Sequence, residues 1–223
     1  MPKIDVDTLP TFYAVRNADA RPALLFIHGA GAQNGLWMDA ARRLERAAVF
    51  VPDLPGHGQS DGVPSDSIPT YARWIVDFAD AVGLDRFVPV GHSMGGGVAL
   101  QLALDYSERV EGLILVASGA RLRVHPDILA QLRDADPVMY TDMLGCDAFD
   151  VMPRLGEIHV ATLVINGTAD DRTPLKYAGF LRDRIAGAEM AVVEGAGHEV
   201  MVERPAEVAA AIQAFVDYLP RSA

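Results

Sequence analysis

Hydrophobic and polar positions along the chain follow two alternating patterns. Short apolar runs bounded by turn residues, such as "ALLFIHG", "RFVPVGHS", "GLILVAS" and "ATLVING", are typical of strands buried on both faces of a sheet. Between them lie amphipathic stretches with helical spacing, including "YARWIVDFADAVGL" and "PAEVAAAIQAFVDYL". Strands that alternate with helices predict βαβ units. We therefore expect an α/β fold with a mostly parallel central sheet and helices on both faces.

One segment breaks this alternation. Residues 121–157 contain the helix-like pieces "PDILAQLRDA" and "PVMYTDML" but no convincing strand. The segment carries too much apolar surface for a disordered linker. We expect a short helical insertion here, which divides the core domain into residues 1–120 and 158–223.

Composition narrows the possible partners and location. The chain has 223 residues, half of them hydrophobic, which suits one sizeable domain. Its net charge of -11 argues against nucleic acid and anionic membranes as partners. The N-terminus has no signal-peptide pattern, and no apolar run approaches the roughly 18 residues that span a bilayer. The single cysteine, Cys146, excludes an internal disulfide framework. We therefore expect a cytoplasmic protein.

The stretch "VGHSMGGGVAL" places a serine where a strand-like run meets a helix-like run. Gly91, Ser93 and Gly95 match the G-x-S-x-G nucleophile elbow, in which a tight strand-to-helix turn projects the serine hydroxyl outward. A serine nucleophile also needs donors that stabilise an oxyanion. The helix that follows begins with free N–H groups, so the Met94 N–H is one candidate. The loop "HGAG" follows an earlier strand, and its Ala30 N–H is the second candidate.

The serine also needs a base and an acid that orients it. In this architecture both follow the serine in the chain, the acid first. Among the later histidines, His198 stands in a glycine-rich loop after a strand, so it is the predicted base. The loop "NGTADDRTP" offers Asp170 and Asp171 as the acid, and proximity to the strand does not choose between them.

These motifs together resemble the α/β-hydrolase superfamily. The resemblance runs from residue 22 to residue 219 and rests on "HGAG", "PDLPGHGQS", "GHSMGG", "LILVAS", "NGTADDRTP" and "GAGH" in that order. The family pattern G-x-x-D-x-x-x-P implies that Asp170 is the acid, and the family's oxyanion hole supports Ala30 and Met94. The insertion resembles the family's cap, although it is shorter than the usual one. The N-terminal part leaves room for at most one hairpin, at about residues 11–17.

The predicted activity is that of a serine hydrolase. Ser93 would attack a small carboxylic ester and form an acyl-enzyme, with His198 as base and Asp170 as its orienting acid. Two alternatives stay open: carbon–carbon bond hydrolysis of a diketone acid, and ligand binding without catalysis. Trp37, Met139 and Met143 are the expected substrate contacts. No histidine spacing suits a metal, and no G-x-G-x-x-G follows the first strand, so neither a metal nor another cofactor is expected.

Overall fold

The computed structural model describes residues 2–219 and places eight strands in one sheet. The strands are β1 (Lys3–Val6), β2 (Leu9–Arg16), β3 (Ala23–Ile27), β4 (Ala48–Pro52), β5 (Val88–His92), β6 (Leu113–Val116), β7 (Thr162–Gly167) and β8 (Glu189–Val193). Their spatial order is β1-β2-β4-β3-β5-β6-β7-β8. The six strands from β4 to β8 in this order pair in parallel, and β1 and β2 add an antiparallel hairpin at one edge. The mostly parallel sheet predicted from the sequence is confirmed.

Helices cover both faces of the sheet. They are α1 (Met38–Ala41), α2 (Ile68–Ala81), α3 (Met94–Asp105), α4 (Pro126–Ala135), α5 (Pro137–Ala148), α6 (Leu175–Arg184), α7 (Val200–Glu203) and α8 (Pro205–Tyr218). Alternate residues of each buried strand point to opposite faces. In β3, Leu25 joins the apolar cluster that contains α2, α3 and α6, whereas Phe26 joins the one that contains α1 and α8. Parallel pairing brings the carboxyl ends of these strands to the same end of the sheet, and the two clusters pack the helices against its faces.

The N-terminal hairpin is longer than predicted. It spans β1 and β2, from Lys3 to Arg16, instead of residues 11–17. Asp7 and Thr8 form the two-residue turn, with φ values of 48° and 69°. Hairpin turns of this length favour positive φ at both positions, which usually requires glycine or asparagine. Neither residue is glycine or asparagine, so this turn could not be predicted from the sequence.

The chain leaves the sheet between β6 and β7 and forms α4, α5 and a 3-10 helix, Met152–Glu157. Arg121 and Asp150 form an isolated antiparallel bridge near the start and end of this excursion, and their side chains make an ion pair of 2.5 Å. Pro126 and Pro137 stand at the first position of α4 and α5, where a missing N–H costs nothing. We call residues 121–157 the cap segment. The predicted domain division also includes residues 1 and 220–223, which lie outside the described range, and it stays a prediction.

None of the helices formed by residues 2–219 has the length and apolar character needed to cross a bilayer. The same residues contain no group of three or more His, Cys, Asp or Glu side chains placed to hold a metal ion.

Candidate active site

The chain turns sharply at Ser93, between β5 and α3. Ser93 has φ of 53° and ψ of -116°, a conformation that non-glycine residues rarely adopt and that is often found at functional sites. A Cβ on Gly91 would lie 2.1 Å from the carbonyl oxygen of Gly95, and one on Gly95 would lie 2.3 Å from the carbonyl oxygen of Ile27. Glycine is therefore required on both sides of the serine, because backbone atoms occupy the space of a side chain.

The Ser93 side chain faces a pocket of about 1220 Å³ above the carboxyl ends of the strands. Ala30, Met139, Met143 and His198 line the same pocket. The expected contact residues Met139 and Met143 belong to α5, so the cap segment forms one wall. Cys146, one turn further along α5, also reaches the wall.

His198 and Asp170 come together from two different loops. Asp170 follows β7 and His198 follows β8, and the Nδ1 atom of His198 lies 3.1 and 3.0 Å from the two carboxylate oxygens of Asp170. Asp170 is buried, whereas Asp171 is exposed and makes no contact of this kind among the described residues. Because a carboxylate accepts hydrogen bonds, it holds the proton on Nδ1 and leaves Nε2 free to accept one.

Thr173 completes the surroundings of Asp170. Its hydroxyl donates to the carboxylate over 2.7 Å and lies 3.2 Å from Nδ1 of His198, and its backbone N–H donates to the other carboxylate oxygen. Burial would raise the pKa of Asp170, but the hydrogen bonds from His198 and Thr173 outweigh it and lower the pKa to about 2. Asp170 therefore stays ionised throughout the neutral range. The sequence analysis did not single out Thr173, although it lies within the motif that carries Asp170.

His92, directly before Ser93, supports the His198 loop. Its Nε2 donates to the backbone carbonyl of His198 over 3.0 Å, and the two rings lie 4.9 Å apart between centroids. Burial, with a smaller effect of the neighbouring His198, lowers the pKa of His92 to about 3. His92 is therefore a neutral donor that fixes the loop.

The hydroxyl of Ser93 makes no hydrogen bond within residues 2–219, including to His198. Catalytic hydrogen bonds are often long without substrate and tighten when it binds. The Ala30 N–H also has no hydrogen-bond partner in the described part of the chain. Met94 is the first residue of α3, where N–H groups lack acceptors within the helix. The site thus combines a hydroxyl, an oriented imidazole and two available backbone donors, which is a set that can carry out acyl transfer.

The prediction that Trp37 contacts substrate is wrong. Trp37 is fully buried, and its ring packs edge-on against Phe26 at 5.0 Å and His92 at 6.3 Å. Trp37 is the last residue of a short 3-10 helix, Asn34–Trp37. The residue before it, Leu36, lines the pocket instead. A 3-10 helix rotates about 120° per residue, so neighbouring side chains point in clearly different directions.

Comparison with known proteins identifies the family to which this fold belongs. A family model described as "alpha/beta hydrolase fold" matches residues 22–148. The chain belongs to the α/β-hydrolase family. A second model, described as "TAP-like protein", matches residues 133–221 of this hydrolase.

Curated and structural relatives of the hydrolase carry several activities in their names. It is 28% identical to a 2-hydroxy-6-oxo-6-phenylhexa-2,4-dienoate hydrolase of Burkholderia cepacia, over 82% of this chain and 84% of that protein. It is 30% identical to a pimeloyl-[acyl-carrier protein] methyl ester esterase of Nitrosomonas europaea, over 70% of this chain and 59% of that protein. A solved structure titled as a thermophilic esterase is 33% identical, with a TM-score of 0.84 over 97% of this chain and 96% of that one.

Proposed function

We propose that this hydrolase cleaves small carboxylic esters through an acyl-enzyme formed on Ser93. The observation that carries the proposal is that His198, which lines the same pocket as Ser93, pairs with the ionised Asp170. Relatives named as esterases support it. A hydroxyl, an imidazole and a carboxylate are the components of serine-dependent acyl transfer.

The first half of the reaction forms the acyl-enzyme. Nε2 of His198 takes the hydroxyl proton as the oxygen of Ser93 bonds to the ester carbonyl carbon. The N–H groups of Ala30 and Met94 bind the resulting oxyanion. Asp170 stabilises the imidazolium, which gives its proton to the departing alkoxide as the carbon–oxygen bond breaks. The alcohol leaves, and the acyl group stays on Ser93.

The second half releases the acid. His198, neutral again, takes a proton from water as the water oxygen attacks the acyl carbon. The same two N–H groups bind the second oxyanion, and collapse of this intermediate returns the proton to the oxygen of Ser93.

Carbon–carbon bond hydrolysis is the second candidate. The similarity to the dienoate hydrolase of Burkholderia cepacia favours it. A diketone acid is longer than a small ester, so its cleavage requires a roomy pocket beneath the short cap segment. The pocket of about 1220 Å³ has the volume for such a substrate, because ligand sites commonly measure about 300–1,000 Å³.

One substrate panel tests both candidates and the non-catalytic alternative. Wild type and Ser93→Ala are assayed with p-nitrophenyl esters of increasing chain length and with a 2-hydroxy-6-oxo-dienoate. We expect turnover of the short esters that falls by orders of magnitude in Ser93→Ala. Turnover of the dienoate alone would favour carbon–carbon cleavage. Binding without turnover of any substrate would refute the enzymatic proposal.

A further inference from the structure

A buried carboxylate on the cap segment connects it to the loop that carries Ala30. Asp142 lies in α5 and is 0% exposed. Its Oδ2 accepts hydrogen bonds from the Gly31 N–H over 2.9 Å and from Nε2 of His57 over 2.8 Å. Its Oδ1 accepts the hydroxyl proton of Tyr71, in α2, over 2.6 Å. Three segments that are distant in sequence therefore converge on one carboxylate.

The charge of Asp142 is balanced by His57. Nδ1 of His57 lies 2.9 Å from the carbonyl oxygen of Pro55, and Nε2 faces Asp142, so both ring nitrogens face acceptors. A ring in this position satisfies both contacts only when it carries two protons. Burial would lower the pKa of His57, but the hydrogen bond and charge of Asp142 outweigh it and raise the pKa above 6.5. Asp142 and His57 thus form a buried ion pair with its hydrogen bonds satisfied.

The same loop is held on its other side by His28. Its Nδ1 donates to the carbonyl of Gly29 over 2.9 Å, while its Nε2 accepts the N–H of Leu54 over 3.1 Å. The Ala32 N–H also donates to that carbonyl, over 3.2 Å, so residues 29–32 form a turn with Ala30 and Gly31 at its centre. Ala30 therefore sits between a carbonyl fixed by His28 and an N–H fixed by Asp142.

Gly31 contacts α5 at two points one helical turn apart. Its φ is +63°, and a Cβ at this position would lie 3.1 Å from the Cβ of Met139. Asp142, three residues further along α5, takes its N–H. The peptide between Ala30 and Gly31 is thus oriented by the cap segment. It meets the peptide that carries the Ala30 N–H at the Cα of Ala30, so fixing it restrains the turn of residues 29–32 that presents this N–H.

We propose that Asp142 is a positioning residue for the oxyanion hole, which holds the turn that presents the Ala30 N–H in its working conformation by accepting the Gly31 N–H. This inference rests on the proposed function, because it assigns Asp142 an effect on a step that Ser93 starts. It also implies that the cap segment contributes to turnover itself, as well as shaping the substrate pocket.

The test compares Asp142→Asn with two matched variants. Asp134→Asn removes an exposed carboxylate on α4 that makes no hydrogen bond or ion pair among the described residues. Tyr71→Phe removes one hydrogen bond to Asp142 but leaves the Gly31 and His57 contacts in place. For p-nitrophenyl acetate, we expect kcat of Asp142→Asn to fall at least about tenfold, since loss of one oxyanion donor costs about 10²–10³ and a misdirected donor costs part of that.

The split between kinetic constants separates positioning from stability. We expect KM of Asp142→Asn to change much less than kcat, and its affinity for a boronic acid, which forms a tetrahedral adduct on the serine, to fall in parallel with kcat. Tyr71→Phe should lower Tm while keeping kcat, and Asp134→Asn should change neither. A folded Asp142→Asn with the kcat of wild type would overturn the inference, as would an equal loss of kcat in Tyr71→Phe.

Amide exchange in wild type gives a check that does not depend on the folding of any variant. The Gly31 amide should exchange much more slowly than the Ala30 amide, because only the former donates to a buried carboxylate. Equal fast exchange of both would refute the proposal. Ser93→Ala is assayed in parallel: if wild-type turnover does not depend on Ser93, the proposed function fails and this inference with it. If turnover depends on Ser93 but not on Asp142, only this inference fails.

Discussion

Two buried histidines are predicted to make the folded state sensitive to mild acid. Burial, with a smaller effect of a neighbouring histidine, lowers the pKa of His28 to about 4 and that of His92 to about 3. The unfolded chain binds these protons near the usual histidine value of about 6.5, whereas the folded chain does not bind them until much lower pH. Stability is therefore lost as pH falls from 6.5, since the unfolded state binds more protons in that range.

The size of the effect follows from the pH interval. Between pH 6.5 and 5.0, each of the two sites costs about 1.5 kcal/mol of unfolding free energy, or about 3 kcal/mol together. His57 has the opposite sign, because its pKa is raised in the folded state. Its contribution is fully present below the unfolded value and is lost only as pH rises through the folded value, so it offsets only a small part of this loss. Asp170, with a pKa of about 2, loses its contribution only below this interval.

Urea unfolding at pH 6.5 and 5.0 measures the effect. His92→Gln keeps a donor for the carbonyl of His198 but cannot be protonated, so its loss of stability should be about 1.5 kcal/mol smaller than that of wild type. His159→Gln is the matched control, because the side chain of His159 is exposed and makes no hydrogen bond or ion pair among the described residues. It should follow wild type. Equal losses of unfolding free energy in His92→Gln and wild type over this interval would refute the role of His92.

Two further predictions concern single side chains. Asp170→Asn should lower kcat for ester turnover by about 10⁴-fold, because an amide no longer fixes the Nδ1 proton of His198. Asp171→Asn should keep a kcat close to that of wild type. The reverse order of the two kcat values would assign the acid to Asp171. Burial raises the pKa of the Cys146 thiol to about 12, so native protein at pH 8 should react with a disulfide reagent far more slowly than protein unfolded in urea; equal rates would contradict the buried thiol.

The local sequence predicts the parts of the site that local geometry builds. Gly91 and Gly95 stand where backbone atoms leave no room for a side chain, so the turn at Ser93 was readable from the glycine spacing. The loops with Asp170 and His198 each follow a buried apolar strand, and parallel strands bring such loops to one edge of the sheet. The fold class, the turn and the convergence of these loops could therefore be predicted without coordinates.

Other features depend on contacts between distant parts of the chain, which local patterns do not encode. Asp142 and Gly31 are 111 residues apart, and Asp142 and His57 are 85 apart. The only signal in the sequence was a carboxylate inside the mostly apolar stretch "VMYTDML", where a buried acid needs partners. The prediction for Trp37 was wrong for a different reason. A one-residue shift around a 3-10 turn exchanges a residue that lines the pocket for one that packs in the core.

The bridge between Arg121 and Asp150 has a consequence for engineering new specificities. Because Arg121 and Asp150 pair there, the residues between them form a loop with its two ends held together. The length of this loop can therefore change without displacing β6 or β7. A grafted excursion from a relative should therefore leave the sheet folded. Such a chimera would lose the contact with Gly31 unless an acid at the place of Asp142 is grafted with it. A chimera with a changed substrate preference would then bind its new substrate well but turn it over slowly until the carboxylate at the place of Asp142 is restored.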